Sequence, residues 1–406
     1  MRRMLVVGFA GRILIDGRTG TENYLTPDLI ANEALFLLQN QLVGIQTFSK
    51  SHQAIFNGEN KVGDRVKVRR RRAGAVTEAA PYDSLNLTFT SPKETNIEVV
   101  LEKHFIIPIE VSSSDMTLSL EDFSSQVLAP QIVAIGESAD NYALTKFKEV
   151  PTVGGLSSSA PAALPSSAGD LAGIERTLFD QKVPGSGLLH VCSGELAEGL
   201  VASGTISSAE QRGDGGTALE NAQVGRVMNL NHVRGQGIDS ATFTRGTMVS
   251  AVLNGAHTAG ATTITYDGAD GASVTLKKYD IVTIGTKACV VAADATASSN
   301  AGTFTIFDPL PDDIADNAAI TVYDAASGTR QLHGCAFHPD AFTFVSVPGE
   351  MPLGGATGQV VTDGNMSMRV LFGFAMAGLS NQMVLDFVAG AKLVDPRLAT
   401  QVVKNI

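Results

Sequence analysis

Hydrophobic positions along the chain change period several times, and each change marks a part. Thr26-Pro27-Asp28 has the makings of a helix start: a capping hydroxyl, a proline suited to the first helical position and an acid in the first turn. Leu29, Ile30, Leu37, Leu38 and Leu42 then supply an apolar face to about Val43. Residues 1 to about 24 are Gly-rich and lack periodicity, so they read as an arm. From Lys61 the period falls to two. Val62, Val66 and Val68, with Asp64, Lys67 and Arg69 interleaved, form one strand; Leu85, Leu87 and Phe89 alternate likewise, followed by Ile97, Val99 and Leu101 and then by Phe105, Ile107 and Ile109. Between the first two runs lie Arg69-Arg70-Arg71-Arg72 and Gly74. The pattern is a long antiparallel ribbon with a very polar tip. Its apolar surface is too small for stability alone, so it predicts a partner to lie on.

Helical spacing returns at Ser119-Leu120-Glu121-Asp122, where Ser119 caps and the two acids suit the dipole. Leu128, Ile132, Ile135, Ala139 and Tyr142 continue it to about Lys148, with Lys146 and Lys148 placed as cations at the C-terminal end. This spine helix spans on the order of 40 Å, and Pro130 inside it predicts a kink or a break. A linker from Val153 to Ser167 follows. A capped helix from Asp170 to Lys182, a strand from Gly187 to Val191, a helix from Gly194 to Ser203, a short helix through Ala222 and a strand from Gly225 to Val233 together predict a mixed α/β layer. From about Thr244 to Ala325 short β runs recur: 263–266, 274–276, 281–284, 289–291, 304–307 and 320–323. That texture predicts a small sandwich or barrel. Strands then resume at Ala341 to Val347, Met368 to Phe374 and Val384 to Val388.

Composition narrows the function. Of the 406 residues only 17% are charged against 44% hydrophobic, a balance suited to burying surface against other copies, though Gly-rich β proteins share it. The net charge of -11 argues against a general nucleic-acid binder, although an acidic lining can enclose nucleic acid without holding it. The three cysteines are far apart and odd in number, which fits free thiols in a reducing compartment. The first ten residues resemble the start of a signal peptide, but Arg12 interrupts them, so a secretory leader is not expected. The apolar run Val370 to Ala377 is too short for a membrane span, and no membrane partner is expected.

The strongest charge feature is Arg65, Lys67, Arg69, Arg70, Arg71 and Arg72. Guanidinium forks pair well with carboxylates, which makes acids of a neighbouring subunit one set of partners; a nucleic-acid patch and a solvated tip are the others. His333-Gly334-Cys335-Ala336-Phe337-His338 matches no standard zinc spacing and reads as a buried Cys at a strand. There is no Gly-x-Ser-x-Gly elbow and no Walker loop; Gly185-Ser186-Gly187 and Gly213-Asp214-Gly215-Gly216 read as turns. No catalytic residue, cofactor or metal is expected.

In order and spacing, four strings resemble the tailed-bacteriophage major capsid (coat) protein family with the Hong-Kong-97-type fold. They are Val62-Gly63-Asp64-Arg65-Val66-Lys67-Val68, the segment from Ser113 to Phe123, Ala336-Phe337-His338-Pro339-Asp340-Ala341-Phe342, and Gly390-Ala391-Lys392-Leu393-Val394-Asp395-Pro396-Arg397-Leu398. The chain most resembles coat proteins of short-tailed enteric phages that carry an extra β-domain. The resemblance implies an α+β chain with an N-terminal arm (1–24), an N-terminal helix (25–52) and an extended loop with peripheral-domain strands (53–112). It further implies a spine-helix segment (113–152), a first axial part (153–243), an inserted β-domain (244–326) and a second axial part (327–406). It implies hexamers and pentamers of the chain in an icosahedral virion shell around double-stranded DNA, assembled in the host cytoplasm with a scaffolding protein and a portal. The loop Lys and the Asn that some members cross-link have no match here. A tail or decoration component, and a hydrolase with a β-domain appendage, are the alternatives the residues leave open.

Overall fold

The i, i+3, i+4 spacing after Pro27 forms the helix it predicts, Pro27–Gln41, with Ala31, Ala34, Leu35 and Leu38 buried along one side. The computed structural model describes residues 27–53, 65–71, 94–112, 124–154, 164–165, 167–202, 225–238, 242–323, 329–352, 354, 357–363, 366–376, 378 and 380–405. The arm, the ribbon tip with Arg72, the string from Ser113 to Phe123 with the Ser119 cap, most of the linker and the Gly213 turn lie outside the described residues.

The spine runs as a π-helical turn Ser124–Leu128, an α-helix Ala129–Leu144 and a 3-10 turn Thr145–Glu149. The break expected at Pro130 is the junction of the π turn with the α-helix. Proline in a first turn has no helical N–H to lose there. Ile132, Ile135, Ala139 and Ala143 make the buried stripe. Asp140 on that stripe accepts the Ile45 N–H at 2.9 Å, pinning the Gly44–Thr47 helical turn against the spine. Gly44 permits the contact, since a Cβ there would lie 2.6 Å from Leu144 Cδ2.

Beneath these helices lies an antiparallel sheet built on the long strand Ser380–Leu393. Lys103–Ser112 pairs along one side of it; Met366–Ala375 and Phe342–Val347 pair with its two ends in succession, and Thr357–Asp363 flanks Met366–Ala375. The register aligns Phe105 with Phe387, Ile107 with Leu385 and Val370, and Ile109 with Met383 and Phe372. Those columns form the apolar face that packs on the helices.

A second, mixed sheet has the order Ala399–Asn405, Thr329–Phe337, Leu189–Cys192, Leu230–Arg234, Arg226–Val227. Leu189–Cys192 and Leu230–Arg234 run parallel, and the connection between them carries the helix Gly194–Ala202. The helix expected from Asp170 is Ala168–Asp180. Ser167 is its cap, and Asp170 closes a reciprocal capping box at the third helical position. The single strand expected from Gly225 to Val233 is corrected to a tight hairpin. Met228 and Asn229 sit at φ 48° and 62° and turn the chain between two paired strands.

Residues 248–322 build their own hydrophobic core around Leu253, Ile264, Tyr266, Val282, Phe304 and Ile320. Their sheet has the order Lys287–Val290, Ile281–Ile284, Ala319–Val322, Ser250–Leu253, Thr263–Asp267, Gly302–Thr305. The two outer strands then meet: Val291 bridges Ile306, Ala292 N–H donates to Thr305 O at 2.8 Å, and Phe307 N–H donates to Val290 O at 3.0 Å. The sheet therefore closes into a barrel, which removes the open edges that would otherwise invite strand pairing. The chain leaves the mixed sheet at Thr242–Thr244 and rejoins it at Thr329, and Thr244 pairs with Thr329 as a neck. No described helix is long and apolar enough to cross a membrane.

Candidate assembly interface

The candidate surface begins with strand alternation. Arg65–Arg71 pairs antiparallel with Glu94–Val100, setting Val66 against Val99, Val68 against Ile97 and Lys67 against Glu98. Val66, Ile97 and Val99 are buried, and Arg65, Lys67 and Arg69 are exposed on the opposite face. Glu98 lies 3.6 Å from Arg65 and 3.5 Å from Lys67, at exposures where such pairs add little stability. For this described base, the partner that the pattern requires is the chain's own body, on which the underside rests. The close approach occurs over Gly390, where a Cβ would stand 2.3 Å from Val100 O.

The six cationic positions are not equivalent. Arg70 points to the underside, is 9% exposed and holds Asp308 of the barrel at 3.1 Å. Of the partners the sequence leaves open for the run, Arg70 meets an acid, and that acid belongs to the same chain. Burial pushes the Asp308 carboxyl up, against the opposing pull of Arg70. Arg65, Lys67 and Arg69 share the outer face, while Arg72 and the side chain of Arg71 lie outside the described residues.

Lys146 and Lys148, the cations at the end of the spine, are buried. Lys146 meets Glu102 at 3.2 Å and Glu149 at 3.4 Å, and Lys148 lies 6.0 Å from the ring centroids of Phe243 and Tyr279 at the barrel neck. Attraction to the two carboxylates outweighs the burial that would lower the Lys146 ammonium, and its pKa is raised.

Chemistry-bearing side chains also meet in the mixed sheet. Ser193 Oγ and His333 Nδ1 lie 3.2 Å apart, a pair that sequence motifs miss because the residues are 140 positions apart. Both are buried, and Ser193 Oγ accepts the Leu196 N–H, so the hydroxyl serves the start of the following helix. In the His333-to-His338 string, Cys335 is fully buried and His338 Nδ1 accepts the Asp340 N–H. Among the described residues no cluster of three or more His, Cys, Asp or Glu side chains is placed to hold a metal. The three thiols are free and buried, and burial pushes the Cys289 thiol up to about 12.

His190 and His232 face each other across the parallel strand pair with their Nδ1 atoms 2.9 Å apart, so one ring donates and the other accepts. Burial, then the neighbouring ring, hold His190 well below 6.5. A base depressed in the fold but ordinary in the unfolded chain contributes stability above the unfolded value, and that stability is lost as pH falls below it. Between about pH 7.5 and pH 5.5, unfolding free energy should therefore drop by roughly 1 kcal/mol from this group. Urea midpoints at the two pH values check it; a His190→Gln chain that keeps the full wild-type drop would assign the loss elsewhere.

No family model matches the chain, and no curated relative matches it. Among solved structures it is similar to one of Mycobacterium phage Che8, at 15% identity and a TM-score of 0.49 over 89% of this chain and 90% of that one. It is similar to the capsid of Ralstonia phage GP4 at 9% identity and a TM-score of 0.45, covering 98% of each chain. It is similar to the capsid of the cyanophage P-SCSP1u at 12% identity and a TM-score of 0.44, over 84% of this chain and 83% of that one.

Proposed function

We propose that this chain is a shell-forming subunit, the major capsid protein of a tailed phage. The observation that carries this reading is the ribbon. Its underside is buried against its own chain, while its outer face carries exposed Arg65, Lys67 and Arg69, with Glu98 beside the first two, in a chain of net charge -11. Such a face is suited to acids of a neighbouring copy, where desolvated Arg–carboxylate pairs gain strength that exposed ones lack. The ordered resemblance of the four strings supports the same reading and extends it. On that extension the copies form hexamers and pentamers in an icosahedral shell around double-stranded DNA, with a scaffolding protein and a portal, and 244–326 is an inserted barrel between two axial parts.

The test is negative-stain microscopy of purified chain with and without a scaffolding partner. Closed particles are expected; monomers alone with scaffold present would refute the reading. The double change Arg65→Glu, Lys67→Glu should cut particle yield by about tenfold or more and leave the thermal midpoint of the unassembled chain within ~2 °C, since both side chains are exposed. Normal shells from that variant would remove the outer face from the interface. A tail or decoration component is the second reading, one that a closed barrel with its own core would also suit. Tubes or sheets in place of closed particles would support it.

A further inference from the structure

Arg70 differs from its neighbours in the arginine run. Alternation turns it to the underside of the ribbon, beside Val66 and Val68. There one guanidinium reaches three separately built parts. It belongs to the ribbon, it donates to both oxygens of Asp308 at 3.1–3.2 Å, and its Nη1 donates to Val394 O at 3.3 Å. Asp308 follows the segment that closes the barrel, and Val394 follows the central strand of the antiparallel sheet.

The platform that holds Asp308 is firm. Phe307 stacks on Tyr279 with ring centroids 5.6 Å apart, and Lys392 lies 5.8 Å from the Phe307 centroid. Tyr279 sits at φ 74°, a conformation that a bulky residue keeps only where its surroundings over-determine it. Here its N–H donates to Val291 O at 2.9 Å, and Arg330 donates to its carbonyl at 2.6 Å. The ribbon base is the softer partner. A two-stranded ribbon is marginal alone, and among its described residues the buried apolar side chains are Val66, Ile97 and Val99.

We propose that Arg70 is a latch: it holds the ribbon base between barrel and body in the free chain, and its opening lets that base, strands Arg65–Arg71 and Glu94–Val100, swing away. The purpose of that swing, reaching a neighbouring copy, rests on the assembly reading; the latch geometry does not.

The groups that face Asp308 are Arg70 from the ribbon, Lys392 from the central strand, Asp395 and Arg397 from the turn after it, and Cys289 from the barrel. Burial raises the Asp308 carboxyl by more than Arg70 lowers it. Protonation thus removes the negative half of the latch in milder acid than an exposed pair needs. Because the folded value is raised, that protonation takes no stability from the fold through this group.

The test is hydrogen exchange on the full, unassembled chain, followed by mass spectrometry of peptides covering 65–71 and 94–100. Peptides from Ile281–Ile284 in the barrel and Ser380–Leu393 in the body serve as references. At neutral pH, Arg70→Ala and Asp308→Asn should each raise ribbon exchange by about tenfold while the reference peptides stay within about twofold. Arg70→Lys keeps the charge but loses the fork, and should fall between wild type and Arg70→Ala. Unchanged ribbon exchange in both neutral-pH variants would overturn the latch. So would exchange that rises equally in ribbon and references, because Arg70 would then be part of the common core. Particle formation by wild type is scored separately: particles without a ribbon effect sink the latch alone, and a ribbon effect without particles sinks the assembly reading alone.

Discussion

Replacing Phe342 with alanine should cost the fold about 3–5 kcal/mol, the range for emptying a buried aromatic site. Phe342 is fully buried among three other rings: Phe48 stacked at 4.9 Å, Phe337 edge-on at 5.1 Å and Phe147 at 5.3 Å between centroids. The four rings come from four parts of the chain. Phe48 follows the Gly44–Thr47 turn, Phe147 lies in the 3-10 turn that ends the spine, Phe337 ends a strand of the mixed sheet and Phe342 opens a strand of the antiparallel sheet. The chain passes from one sheet to the other between the last two, through the Pro339–Ala341 turn capped by His338. Losing Phe342 therefore empties the point where both sheets and the spine share a core, and little of the cavity can collapse. Urea denaturation of the unassembled chain should show a lower midpoint with an unchanged slope. Phe342→Leu, which keeps most of the volume, should lose about 1–2 kcal/mol. Phe179→Ala, on a ring that is 72% exposed, should stay within ~0.5 kcal/mol of wild type. A Phe342→Ala loss below about 1 kcal/mol would mean that the four rings are not one packing unit.

What the sequence discloses depends on how local the determining force is. The barrel strands are legible because Ile264 and Tyr266, or Ile320 and Val322, alternate with exposed or half-buried positions. Ser250–Leu253 escapes notice because Ser-Ala-Val-Leu alternates weakly in hydropathy, although Ala251 and Leu253 are its buried pair. Closure of the barrel is invisible, since it is made by backbone bonds between 290–292 and 305–307. The hairpin at Met228 and Asn229 is half visible: Asn tolerates a left-handed backbone, but Met gives no such signal. In the ribbon, the run of four arginines hides the alternation that separates them. Parity alone places Arg70 with Val66 and Val68 and away from Lys67 and Arg69, and that signal could have set it apart. Its acid, 238 residues further on, could not have been named from sequence. Lys146 and Lys148 follow the dipole rule in position, yet packing at the spine's end decides their burial, against Glu102 and Tyr142 for Lys146 and the barrel neck for Lys148.

These differences bear on how the parts move. The two sheets, the spine and the four rings share one hydrophobic core. The barrel has a separate core and joins that body through the Thr244–Thr329 neck and the aromatic and cationic groups around Tyr279. The ribbon base adds few buried side chains of its own. Hinge motion is expected where shared burial is least, at the ribbon base, and not within the sheets.

The antiparallel sheet carries one buried charge whose removal should be felt as strongly as that of Phe342. Asp386 has a side chain 2% exposed and takes a bidentate pair from Arg369, Nε at 2.8 Å and Nη2 at 2.5 Å, with His104 Nε2 at 2.8 Å on the second oxygen. Arg369 stands opposite Asp386 in strand register, and its Nη1 also donates to Glu350 O. Asp386→Ala would leave a guanidinium only 16% exposed without its carboxylate, a change expected to cost about 3–5 kcal/mol and to loosen the segment around Gly349 and Glu350. Asp386→Asn keeps the shape and part of the hydrogen bonding, so about half that loss is expected. The pH dependence distinguishes charge from packing. Burial alone would raise this carboxyl, but the hydrogen bonds from Arg369 and His104 outweigh it and hold it below 3.8. A carboxyl depressed in the fold contributes stability above its unfolded value, and loses it as pH falls through the folded one. The gap between wild type and Asp386→Asn should therefore be full at neutral pH and close as the solution is taken below about pH 4. Urea titrations across that range check it. A gap that stays constant into strong acid would mean that the asparagine disturbs packing, and that the ion pair contributes nothing of its own.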